Sequence, residues 1–230
     1  MEQVFADSSK SRIRLGIAGI VLLIFLFSIP YFLLLAGSSV FKVANIRGLL
    51  SHEIYVWLML AVMFLFAYKV EKQRFLPMDD SFNPYRWYLR NFIRLIFFMF
   101  MLSWFVQLLV KFMGLSTQSL LITKLKPILH AHKPVVLLMA LTAGVTEELL
   151  VRGYVFSRLE LLFKKPEVAI FGSAVFFSLL HISYGTLSNM LFPFFMGVLF
   201  SAHYYKYRNI KVLIMCHFFW DLLSIGIVAG

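Results

Sequence analysis

Glu147-Glu148-Leu149-Leu150-Val151-Arg152 sets three charged side chains inside a run otherwise built of Val, Leu, Met and Ala. A charge at the centre of a bilayer costs roughly 2.5–3.5 kcal/mol on insertion scales. Two adjacent carboxylates at that depth need either a partner or a chemical use. Arg152 stands four residues after Glu148, on the same helical face, and can pair with it. Glu147 lies about 100° around the helix and has no local cation. A carboxylate so placed suits a general acid or base near neutral pH.

The chain around this stretch is 61% hydrophobic, with 26 Phe and a mean hydropathy of +0.84. That composition points to an all-α, polytopic membrane helical bundle, a single integral-membrane domain over 1–230. Apolar runs at 15–36, 49–68, 92–110, 135–156, 168–182, 187–205 and 210–228 predict about seven transmembrane helices, several near the ~20 residues a crossing needs. The first run is preceded by Lys10, Arg12 and Arg14 and followed by Ala36-Gly37-Ser38, like a signal peptide. Its apolar stretch exceeds the ~7–15 residues of a signal core, so it reads as a retained anchor.

A formal charge of +11 would suggest nucleic acid in a soluble protein. With seven spans and the N-terminus inside, however, most basic residues fall on one side. These are Lys10, Arg12 and Arg14; Lys69, Lys72, Arg74, Arg86, Arg90 and Arg94; Arg158, Lys164 and Lys165; Lys206, Arg208 and Lys211. Lys42, Arg47, Lys111, Lys124, Lys126 and Lys133 fall on the other. The asymmetry fits the positive-inside rule, so the expected partners are the bilayer and a membrane-bound substrate, not nucleic acid. The expected location is a multi-pass membrane protein with a cytoplasmic N-terminus, in the cell membrane if the source is bacterial. Cys216 is the single cysteine, which excludes an intrachain disulfide and a Cys-based metal site. The segment from Glu71 to Asn91 reads as a cytoplasmic connection, and 114–134 as an outer loop whose His130 and His132 are solvated.

Ionisable residues within spans are concentrated after residue 135. The catalytic core is therefore expected in the helices of 135–225, with 1–134 supplying N-terminal spans and connecting loops. His181 follows Phe177 by one turn, and His217 and Asp221 share a face of the last span. Each can be read as a structural polar contact between helices. Their depths argue for more. At 1.5 Å per residue, Glu147 lies about 15 Å from an inner helix end near Ser157. On the same rise His217 lies about 10 Å and Asp221 about 16 Å from Ile210, and His181 about 20 Å from Val168. Acid, imidazole and carboxylate from three helices thus share one layer in the cytoplasmic half of the membrane. Such a layer contains what amide hydrolysis requires: Glu147 as base for water, His181 to help hold it, and His217 to polarise the carbonyl. Zinc on Glu147, His181, His217 and Asp221 is the alternative, although no His-Glu-x-x-His helix is present.

Glu-Glu-x-x-x-Arg (147–152), Phe-x-x-x-His (177–181) and His-x-x-x-Asp (217–221), in this order on successive helices, resemble the three motifs of the CPBP family. That family comprises CAAX prenyl endopeptidases and bacteriocin-processing or Abi-type membrane proteins. Gly197 and the turn Tyr207-Arg208-Asn209-Ile210 are also similar. The resemblance covers about 135–225. It implies an intramembrane endopeptidase (a hydrolase) with its catalytic cavity inside the bilayer. Glu147 and His181 would activate water, Glu148 and Arg152 would support the site, and His217 with its partner would stabilise the oxyanion. Members are often labelled metalloproteases, whereas a glutamate mechanism needs no cofactor. The last motif often ends in Asn. An ionised Asp221 cannot donate to an oxyanion, so it is expected to orient His217, the other options being a protonated acid or a metal ligand. The substrate would be a membrane-associated peptide or protein, a lipidated one included. Two rival readings are a non-proteolytic immunity or scaffold protein of the same fold, and a proton- or cation-coupled transporter. Transporters frequently carry internal repeats, and none is visible here.

Overall fold

The computed structural model describes the backbone of residues 2–35, 45–76 and 83–230, and the side chains of 11–33, 45–76 and 83–230. The side chain of Lys10, the Ala36-Gly37-Ser38 stretch, Lys42 and Pro77 lie outside the described residues. Within them the chain is helical and has no strand. In hydrocarbon every backbone N–H and C=O must be satisfied within the protein, and a helix does this segment by segment.

The helices are α1 (Glu2–Leu35), α2 (Ile46–Leu65), α3 (Tyr85–Phe112), α4 (Leu120–Ala131), α5 (Lys133–Glu148), α6 (Ser157–Phe163), α7 (Pro166–Leu180), α8 (Ser188–Tyr207) and α9 (Lys211–Ala229). A π-helical turn (Phe66–Glu71) prolongs α2, and a longer π-helical stretch (Leu149–Phe156) joins α5 to α6 without a break. Asn45 caps α2 by accepting the Gly48 N–H at 2.8 Å. Pro166 opens α7, where its missing N–H is harmless. Lys72, Lys164 and Arg208 end three helices in the left-handed conformation, with φ of 51°, 52° and 46°. Glycine is the usual residue there, but a cation complements the negative end of the helix dipole.

Six helices, among the described residues, are long and apolar enough to cross a membrane, not the seven expected. The expected span at 187–205 is the one that drops out. It forms α8, but Ser188 and Asn189 at its start and His203 and Lys206 at its end dilute the apolar centre. Two further expectations are corrected. The run 114–134 is not all loop, because α4 fills Leu120–Ala131 with Pro127 inside it. The Glu71–Asn91 connection is shortened from both sides, since Glu71 ends a helical turn and α3 begins at Tyr85.

The most extensive helix pairs are α7 with α8 and α5 with α9. Each pair is closed by a glycine, the small-residue contact by which membrane helices approach. A Cβ on Gly144 would stand 2.9 Å from the Phe218 nitrogen, and one on Gly197 would stand 2.8 Å from the Ala174 Cα. Gly197→Leu is therefore expected to destabilise the fold by about 1–3 kcal/mol or more, read as a lower Tm in detergent. Gly226 meets nothing within 4 Å, so Gly226→Ala should leave the Tm in place. Equal melting of the two variants would refute the close-approach argument.

One core joins α3, α7, α8 and α9 around Met99, Phe177, Phe200 and Leu213. A second joins α1 and α2 around Leu23, Met63 and Tyr154. The π-helical stretch belongs to both, and Leu150 through Phe156 are buried without exception. At one end of the bundle Arg158 of α6 bonds Glu71 and the Arg74 carbonyl. Arg208 bonds Glu160 there, and Asn209 donates to the Tyr88 hydroxyl at 3.0 Å. The ends of α2, α6 and α8 and the starts of α3 and α9 therefore meet on the side where the basic clusters gather.

Candidate active site

Glu147 and Glu148 occupy the last turn of α5, Arg152 the π-helical stretch, and His217 and Asp221 one face of α9. The Gly144–Phe218 approach holds α5 and α9 close enough for Glu148 to reach His217. Arg152 Nη1 donates to Glu148 Oε1 at 2.8 Å, and His217 Nδ1–H donates to the same oxygen at 2.8 Å. The other face of the imidazole turns outward: Nε2 lies 3.5 Å from Asp221 Oδ2 and 3.8 Å from Glu147 Oε2.

Exposure divides the cluster. The side chains of Glu148 and Arg152 are 0% exposed and that of His217 is 4%, whereas Glu147 is 25% and Asp221 20% exposed. Two carboxylates thus edge an accessible space, with the histidine between them and the buried ion pair behind it. The Arg152 guanidinium stacks 4.6 Å from the Phe177 ring centre and 5.4 Å from that of Phe200. These contacts complement the cation where its Nε and Nη2 have no hydrogen-bond partner.

His181 sits just past the end of α7. Its Nδ1–H donates to the Phe177 carbonyl at 2.9 Å, and its ring stacks on Tyr184 at 5.7 Å. Since a carbonyl only accepts, a neutral His181 keeps its lone pair on Nε2. Among the described residues His181 makes no hydrogen bond or ion pair to Glu147, His217 or Asp221. The Phe177 ring mediates instead, 4.9 Å from His181 and 5.8 Å from His217 between centres.

Glu147, Glu148, Arg152, His217 and Asp221 are accordingly brought into one constellation, with His181 one aromatic ring away. His217 is held on its Nδ1 side by Glu148, which the sequence did not suggest, and it has Asp221 at 3.5 Å on its Nε2 side. The depth estimate also changes. The span containing Glu147 runs from Lys133 to Phe163, so Glu147 lies about 21 Å from one end and about 24 Å from the other. That is the middle of this helix, farther from its inner end than the sequence suggested.

As for a metal, no three His, Cys, Asp or Glu side chains among the described residues converge as ion ligands. His181 is held one aromatic ring away from the Glu147, His217 and Asp221 side chains, so the four do not form a zinc site as they stand. His130 lies in α4 rather than in a loop, and its Nδ1–H donates to the Ala229 carbonyl at 3.1 Å.

Sequence reasoning passed over Glu53 of α2, which is 7% exposed and within electrostatic reach of Glu147. Its signal was an acid inside the 49–68 apolar run. Tyr184 and Phe200, which shape the site, offered no signal beyond their apolar neighbourhood.

Residues 130–223 match the family model described as type II CAAX prenyl endopeptidase Rce1-like. No curated protein and no solved structure matches the chain. The match covers the segment bearing all three motifs, and it is the family kind those motifs resemble.

Proposed function

Because residues 130–223 carry an Rce1-like, CAAX-protease-type domain, we propose that the protein is an intramembrane endopeptidase in which Glu147 activates water. The observation that carries this reading is the two-sided setting of His217. Its Nδ1 is committed to buried Glu148, and its Nε2 is turned toward the partly exposed Glu147 and Asp221.

The chemistry follows from these positions. Glu147 takes a proton from water, and the resulting hydroxide adds to the peptide carbonyl carbon as the C=O electron pair moves to oxygen. His181 accepts a hydrogen bond from that water through Nε2. His217, protonated on both nitrogens, donates from Nε2 to the oxyanion while Glu148 holds Nδ1–H. As the C–N bond breaks, Glu147 returns the proton to the departing nitrogen. Arg152 fixes Glu148, and Asp221 restrains the Nε2 edge of His217 as an acceptor. No step requires a metal.

The substrate is a membrane-associated peptide or protein whose scissile bond reaches the level of Glu147. A prenylated CAAX terminus is one member of that class. The basic clusters at one end of the bundle support, through the positive-inside rule, our reading of that end and the N-terminus as cytoplasmic.

The test is to reconstitute purified protein with membrane-peptide substrates after exhaustive chelation, and to sequence newly formed termini by mass spectrometry. New termini are expected with or without chelator. Cleavage lost on chelation and restored by zinc would replace the glutamate mechanism with a metal one. No cleavage in either condition would favour a non-proteolytic role.

A further inference from the structure

Where α1, the end of the α2 span and α6 come together at the basic end of the bundle, a cleft of about 760 Å³ opens. It is separate from the catalytic constellation, since Arg158 in its wall lies about 16 Å along the helix from Glu147.

Both carboxylates lining this cleft are already engaged. Glu71 accepts Arg158 Nη2 at 2.6 Å and the Tyr154 hydroxyl at 2.9 Å, and Glu160 accepts Arg208 Nη2 at 2.5 Å. Four cations in the same wall, Arg12, Lys72, Arg74 and Lys164, form no ion pair with any carboxylate among the described residues. Gln73 adds an amide nitrogen that is buried and, among the described residues, has no hydrogen-bond partner.

The position suggests what this excess of cations and donors serves. The spans Ser11–Leu33, Ile46–Glu71 and Lys133–Phe163 all reach the bilayer surface here, at headgroup level. Basic pockets between membrane helices are suited to anionic lipid headgroups.

We propose that this cleft binds the phosphate-bearing headgroup of an anionic phospholipid. Arg12, Lys72, Arg74 and Lys164 surround the headgroup oxygens, and Gln73 donates to one of them.

The test uses the full-length protein in neutral detergent. Retention of dioleoyl phosphatidylglycerol and dioleoyl phosphatidylcholine is compared by native mass spectrometry, with excess inorganic phosphate as a third probe. The protein should retain phosphatidylglycerol selectively. The triple variant Lys72→Gln, Arg74→Gln, Lys164→Gln should bind it about a hundredfold more weakly, at roughly fivefold per cation. The double variant Lys206→Gln, Lys211→Gln, which removes charge from the same end outside the cleft, should bind it as the parent does. An unchanged Tm of the triple variant in phosphatidylcholine confirms that it folds; should it melt early, the single variant Arg74→Gln, expected about fivefold weaker, carries the comparison. Undiminished binding by the triple variant, or by Arg74→Gln in its place, equal retention of the two lipids, or an equal loss in the double variant would each overturn the proposal. So would saturation by inorganic phosphate with no added affinity from the lipid, which would assign the cleft to the free anion.

Discussion

Glu147→Gln is expected to lower the rate of peptide-bond cleavage by about 10²–10⁴-fold, the usual contribution of a positioned general base, while leaving the Tm in place. The two halves of this expectation have separate causes. Glutamine keeps the size of the side chain but cannot take a proton from water. Little structural bonding is lost, because Glu147 Oε2 has no hydrogen-bond partner and its nearest charged neighbour, His217 Nε2, is 3.8 Å away. The measurement is the rate of release of a cleaved fragment by reconstituted protein, alongside a thermal melt of the same preparation. A glutamine variant as fast as the parent would remove Glu147 from the mechanism. A variant that is inactive but melts early would mean that its role is structural.

Arg152→Met is expected to have the largest effect on stability, about 3–5 kcal/mol, because it leaves the buried Glu148 carboxylate with His217 as its one remaining partner among the described residues. Glu148 is 0% exposed and has Arg152 as its cationic partner at 2.8 Å. The guanidinium also fills the space between Phe177 and Phe200, so its loss loosens the packing that sets His217. A second variant separates charge from shape. Combining Glu148→Gln with Arg152→Met removes both members of the ion pair, and replacing a buried pair by neutral groups is often nearly neutral. The double variant should therefore melt closer to the parent than Arg152→Met alone, and glutamine can still accept from His217 Nδ1. An unchanged Tm in the single variant would show that Glu148 does not depend on Arg152.

The two variants act on neighbouring carboxylates with opposite outcomes, because α5 turns one side chain into the accessible space and the other into the core. Adjacent residues on a helix point about 100° apart. Here that angle separates a carboxylate available to a substrate from one committed to holding the histidine opposite.

Much of this was legible in the chain itself. The class of fold followed from long apolar runs, since hydrocarbon admits few other backbone solutions. The Glu148–Arg152 pair followed from four-residue spacing on a helix, and the isolation of Glu147 from the same geometry. Misreadings came where composition and position compete. α8 is helical yet has polar ends, so its apolar centre overstated it as a span. The Lys133–Phe163 helix continues past Ser157, which puts Glu147 farther from the helix's inner end than the sequence suggested. Glu53 went unremarked because one acid within an apolar run looks tolerable until its neighbours are known.

The sequence by itself determined which residues have to be protected from lipid, and the helical spacing that pairs Glu148 with Arg152, because both depend on local chain geometry and transfer energies. Only the tertiary structure decided that the Glu148 oxygen also receives His217, and that Asp221 faces the opposite nitrogen. It also decided that His181 joins the site through the Phe177 ring. These contacts depend on how closely α5 meets α9 and where α7 stops. Those distances are set by Gly144 against Phe218 and by the packing of several helices at once, which no single segment specifies.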